Sequence, residues 1–188
     1  ERSRGLGDVY KRQGSYEYIR MFRQSFWIYA LLLLFSIAGT VHGNIKIDKV
    51  CVVLWGLIQA SGYLQPMDTG YLLHFKNFKT LCRFQSKSIA WNVFITSIPF
   101  GLALIASTYD QDEILFFLSY YIATLIYAIG ISMLRHIIPS PLLLFIVQLS
   151  ILMPFYLGSL FVPFLLIPGM ALTTLLSCQT RKHLKRLL

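Results

Sequence analysis

The sequence predicts an all-α, polytopic membrane protein of about six transmembrane helices, with an interfacial amphipathic helix between the second and third. Three observations predict it. Of 188 residues, 56% are hydrophobic and only 13% are charged, about half the charged fraction of an ordinary soluble domain, and mean hydropathy is +0.61. The apolar residues gather into long continuous runs. Lipid offers no partner to backbone N–H and C=O groups, so such runs must be helices or a closed barrel, and a barrel would instead alternate over segments of about ten residues. Finally, the 17 Lys and Arg residues, against 8 Asp and Glu, fall almost entirely between and beyond the runs, where membrane topology places them.

Residues 1–13 (ERSRGLGDVYKRQ) have no apolar face, and Gly5 to Gln13 resembles translated adapter sequence. They are read as a non-native leader, with residues 14–188 forming a single transmembrane domain. The first span runs over 26–41, preceded by Arg20 and Arg23; a signal peptide starting at Met21 is the alternative reading of this run. The second, 50–64, is short and contains Gln59 and Ser61, so it barely crosses about 30 Å of hydrocarbon. Four stronger runs follow at 89–108, 114–134, 142–157 and 160–178. Only Gly158-Ser159 separates the last two, which predicts a tight helical hairpin. Pro99, Pro154, Pro163 and Pro168 lie in or beside these runs and mark kinks or breaks.

Counting cations on alternate sides, with the four in residues 1–13 left out, gives eleven on one side and two on the other, Lys46 and Lys49. The expectation is that both termini and the loop between spans two and three are cytoplasmic, in the cell inner membrane. The formal net charge of +9 is thereby explained by topology, and nucleic acid is not an expected partner. Cys51, Cys82 and Cys178 have no paired spacing, which argues against a disulfide framework or a zinc site.

No Asp, Glu, Lys or Arg falls inside any predicted span, which speaks against an ion-coupled carrier. His42, His74, His136 and His183 are scattered at membrane borders with no paired spacing, and Ser61-Gly62 lacks the flanking pattern of a hydrolase elbow. Asp110, Asp112 and Glu113 form an acidic cluster between spans three and four. It reads as a solvated outer loop; a bound cation is the alternative. No enzyme activity, cofactor, catalytic residue or metal site is expected.

The informative segment is 71–88, YLLHFKNFKTLCRFQSKS. Lys76, Lys79, Arg83 and Lys87 recur at intervals of three, four and four, on one helical face; Phe75, Phe78 and Cys82 occupy the adjacent one. Such a helix is suited to the cytoplasmic interface, aromatic side in the headgroups and cations toward water or anionic lipid. Asp68 and Thr69 stand where a cap would.

Six spans, both termini inside and an amphipathic helix in the first cytoplasmic loop resemble an ABC transporter permease of the type-2 exporter class. In that class the loop helix couples the permease to its ATPase, and the matching stretch here is residues 70–87. The resemblance extends over about residues 20–188 and is one of layout. It implies a permease subunit of an ATP-driven transporter, with an ATP-binding subunit in trans. It further implies a homodimer or paired permease subunit, and a path lined by spans one, two and five. The coupling surface would be Lys76, Lys79, Arg83 and Lys87 outward, with Phe75 and Phe78 against the membrane. Two departures are evident: only Met153 to Ser159 connects spans five and six, and only Gly14 to Ser25 precedes span one. The alternatives are a non-transporting scaffold or assembly subunit whose basic helix binds anionic lipid, and a membrane-embedded lipid-modifying enzyme.

Overall fold

The computed structural model describes residues 16–64, 78–107, 111–138 and 140–187. All regular structure among them is helical. Six helical stretches are long and apolar enough to cross a membrane, at 18–41, 45–64, 80–107, 111–137, 141–161 and 163–182. The chain is a multi-pass, all-α membrane protein.

Helix α1 (Tyr16–Val41) ends by a mechanism that its sequence dictates. Gly43 adopts φ +65°, and the Asn44 and Gly43 amides donate to the carbonyls of Gly39 and Thr40 at 2.8 and 3.1 Å. This six-to-one and five-to-two pairing closes the helix around a left-handed residue, which glycine adopts without steric penalty. Helix α2 (Ile45–Ser61) follows at once and finishes in a 3₁₀ turn, Gly62–Leu64.

Helix α3 (Phe78–Ser107) is a single 30-residue helix with Pro99 inside it. At 1.5 Å per residue it is about 45 Å long, well beyond about 30 Å of hydrocarbon. Helix α4 (Gln111–Ile137) runs back antiparallel to it.

Span five is a composite. Helix α5 (Pro141–Val147) starts at Ser140, whose hydroxyl accepts from the Leu143 amide, with Pro141 in the first turn. A π-helical turn, Gln148–Leu152, then leads into α6 (Met153–Phe161). Pro154 explains the widened turn, because its ring blocks a regular bond to the carbonyl of Ser150. The span ends at Val162, which is non-helical at φ −127° ψ 87° before Pro163, as a residue preceding proline prefers. The break therefore falls at Val162-Pro163 and not at Gly158-Ser159, where the sequence placed it; Ser159 is buried inside α6. A 3₁₀ turn, Pro163–Leu165, opens into α7 (Leu166–Leu187).

Spans two, three and four form the centre. Half of the apolar window of span two is buried, against 17% for span one and 11% for span six. Trp55, Tyr63, Phe100, Tyr120 and Tyr156 are each at most 1% exposed. Trp55 sits between Tyr29 and Phe100, with ring centroids 4.6 and 6.4 Å away. Gly56 lets α2 approach its neighbours closely: a Cβ there would lie 2.8 Å from the Tyr120 ring and 2.9 Å from the Thr124 hydroxyl. Large apolar side chains cover the outside, including Trp27, Leu34, Phe161 and Phe164, as a lipid-facing surface requires.

Candidate functional site

The bundle has two chemically different ends. One carries the starts of α1 and α3 and the ends of α4 and α7, and is here termed the basic end. The other carries the α1–α2 turn and the junction of α3 with α4, and is termed the acidic end.

At the basic end, the described part of the amphipathic segment, 78–88, is helical and continuous with span three. Its buried positions are Leu81, Gln85, Ser88 and Ile89, spaced at four, seven and eight, which is one helical stripe. Gln85 bonds His136 at 3.3 Å, and its side-chain oxygen accepts from Ser132 at 3.4 Å. Cys82 meets Met133 at 4.0 Å. Cys82, on the face expected in the headgroups, thus meets the end of α4, and residues 78–88 continue span three as one helix. The sequence pattern was compatible with either surrounding, α4 or headgroups, because amphipathicity reports a covered face without naming its cover. Phe78 is half-buried, and Arg83 and Lys87 are exposed on the opposite face. Lys79 lies on α3, but its side chain, like all of Phe75 and Lys76, lies outside the described residues. The same holds for residues 1–13, Asp68, Thr69, His74 and Asp110.

Arg135, by contrast, is buried and donates to the Tyr63 carbonyl at 3.4 Å. That carbonyl belongs to the last turn of span two, where unsatisfied C=O groups carry partial negative charge and favour a cation. The Thr180 hydroxyl of α7 lies 2.8 Å from the Leu176 carbonyl of its own helix and 3.3 Å from the Met133 carbonyl, so the last span packs at the same place.

At the acidic end two carboxylates, Asp48 and Glu113, are withdrawn from solvent. Lys49 Nζ lies 2.7 Å from Glu113 Oε1 and 5.0 Å from the centre of the Phe116 ring, joining span two to span four. Glu113 is 8% exposed and Asp48 is fully buried. Asp48 accepts from Ser36 at 2.9 Å and lies 3.4 Å from the Thr40 hydroxyl. The acidic cluster is therefore not simply a solvated loop: Asp112 is exposed, but Glu113 is packed into the bundle.

These ionisable groups overturn the expectation that none lies within a span. The helices begin at Ile45 and Gln111 and end at Ile137, so they take in Asp48, Lys49, Glu113 and Arg135. Hydropathy drops at each of these residues, which is why the apolar runs stop short of them. A helical reading carried one turn further would have found Asp48: with Val52, Trp55 and Gln59 it continues the buried stripe of α2.

Between the ends lies a polar band. Thr96 of α3 receives a bond from Gln59 Nε2 at 2.6 Å and meets the Tyr18 hydroxyl at 3.2 Å. Asn92 donates to the Tyr63 hydroxyl at 3.3 Å. In span five, Gln148 in the π turn donates to Tyr127 at 3.0 Å, and Tyr156 pairs with Thr124 at 3.3 Å. Spans one, two and three meet at the first group, whereas span five packs mainly on span four. A cavity between α4, α6 and α7 has a volume of about 10 Å³, about one water. Among the described residues, no three His, Cys, Asp or Glu side chains converge, and the three cysteines are free.

Comparison with protein-family models, curated proteins and solved structures found no match to this chain.

Proposed function

We propose that the chain is a membrane-spanning permease subunit of an ATP-driven transporter, docked to a separate ATP-binding subunit through its basic end. On this reading the basic end faces the cytoplasm of a cell inner membrane, the placement favoured by the cation bias. The observation that carries the proposal is the extension of α3. Its Gln85 face is held by α4 while Arg83 and Lys87 are exposed opposite, on a helix too long to end at the hydrocarbon boundary. A load applied to Arg83 or Lys87 would pass into span three without a flexible joint, which is what coupling to a motor requires. A second copy or a similar subunit would complete a path.

The exposed Arg83 and Lys87 also favour a second reading, a non-transporting scaffold or assembly subunit whose cations hold anionic lipid. The two readings separate on one experiment. Full-length protein is purified in mild detergent beside a variant with Lys76, Lys79, Arg83 and Lys87 changed to Ala, and co-recovered protein is assayed for ATP hydrolysis. The permease reading expects an ATPase with the wild type and none with the variant. Absence of any nucleotide-binding partner under all conditions rejects it.

A further inference from the structure

Spans one, two and three meet at a carboxylate that has no counter-ion among the described residues. Asp48 is fully buried, and its neighbour Lys49 is committed to Glu113 on α4. The groups around Asp48 are neutral oxygens: Ser36 and Thr40 from α1 and the Ser107 hydroxyl from α3. Gly39 closes one side with bare backbone, since a Cβ there would lie 2.8 Å from Asp48 Oδ1. A buried charge with only neutral partners is costly, and an ionisable group within a span marks function more often than structure.

The Thr40 hydroxyl stands among three oxygens. Thr40 Oγ1 lies 3.0 Å from the Ser36 carbonyl, 3.2 Å from the Ala103 carbonyl and 3.4 Å from Asp48 Oδ2. A hydroxyl has one hydrogen and can bridge only one of these gaps at a time. The Ser107 hydroxyl likewise stands between Asp48 and the Leu104 carbonyl, 2.7 Å from the latter. Neutral oxygens from α1 and α3 therefore surround one buried carboxylate. Glu113 Oε2, a buried carboxylate oxygen at the same end, has no hydrogen-bond partner among the described residues.

We propose that the Asp48 cluster binds one small monovalent cation, an alkali ion or a proton, through the Asp48 carboxylate, the Ser36 and Thr40 hydroxyls and the Ala103 carbonyl. One carboxylate neutralises one positive charge, whereas a divalent ion would leave a buried surplus. Oxygen-only donors select hard cations over transition metals. Among the described residues, Cys51, further along α2, and the Lys49–Glu113 pair are the other titratable groups near Asp48, and α1 and α3 present hydroxyls and carbonyls to it. The proposal does not depend on the docking reading, which concerns the opposite end.

The test is thermal unfolding of the purified full-length protein in two series. In one, sodium replaces choline at constant ionic strength and fixed pH; in the other, pH varies in choline alone. The wild type is expected to show a saturable shift of a few degrees in one series, sodium identifying an alkali ion and pH alone identifying a proton. Asp48→Asn is expected to lose that response. Ser36→Ala with Thr40→Val keeps the carboxylate and is expected to move the midpoint of the same titration about tenfold or more. Equal responses of wild type and Asp48→Asn in both series overturn the proposal. Should Asp48→Asn not fold, an unmoved midpoint in the hydroxyl double variant overturns it equally.

Discussion

The acidic end and the basic end carry charge in opposite ways. At the acidic end Asp48 and Glu113 are withdrawn from solvent and held by side chains of other helices. At the basic end Arg83, Lys87, Arg181 and Lys182 are exposed, and Arg135 alone among the described Lys and Arg side chains there is drawn inward, onto the carbonyl of Tyr63. The difference teaches what each set contributes. Buried charges bind helix to helix and fail expensively when one partner is lost. Exposed charges contribute little to stability and remain available to a partner.

The largest effect that would sharpen this contrast is expected from Lys49→Met. It leaves the Glu113 carboxylate buried and unpaired, at a cost of about 2 kcal/mol, reduced from the range for fully buried pairs because Lys49 is partly exposed. Reversible unfolding in detergent measures it, and Lys49→Arg should restore most of the loss. A cost indistinguishable from zero would mean that the pair behaves as a surface pair and the two ends do not differ.

Gly39→Ala comes next, at about 1–2 kcal/mol. The new methyl must displace the Asp48 carboxylate, Ile47 and the Asn44 carbonyl, all within 3.3 Å. Gly43→Ala, four residues on, meets nothing within 4 Å, so its expected cost of about 1 kcal/mol is that of φ +65° alone. Measured together, the two glycines separate packing from backbone strain within one turn. The smallest effect is expected from Arg83→Ala with Lys87→Ala, within about 0.5 kcal/mol of the wild type. A larger loss would show that these side chains support the fold, against their role as a free docking face.

Much of the architecture was legible because long apolar runs admit few alternatives in lipid. The six spans and the helical character of 78–88 followed from hydropathy and a period of three to four residues. Less legible were the ends of the spans. Hydropathy treats Asp48, Glu113 and Arg135 as loop, although backbone hydrogen bonding carries each helix past them. The turn after span five was misplaced because Gly158-Ser159 is a familiar breaker pair, yet Pro163 and the restriction it imposes on Val162 decide the break. The cover of the amphipathic segment was not legible at all. Gln85 bonding Ser132 and His136 is a contact across about fifty residues of sequence, and no local pattern encodes it.

The most direct test of the docking role is site-specific photo-crosslinking along α3 in native membranes. A crosslinker is placed at Arg83 or Lys87, and, as a reference on the same helix, at Trp91 or Leu102, both 63% exposed within the apolar span. Adducts with one ATP-binding protein at positions 83 and 87, and none at 91 and 102, are the predicted result. Lipid adducts alone at all four positions would contradict it.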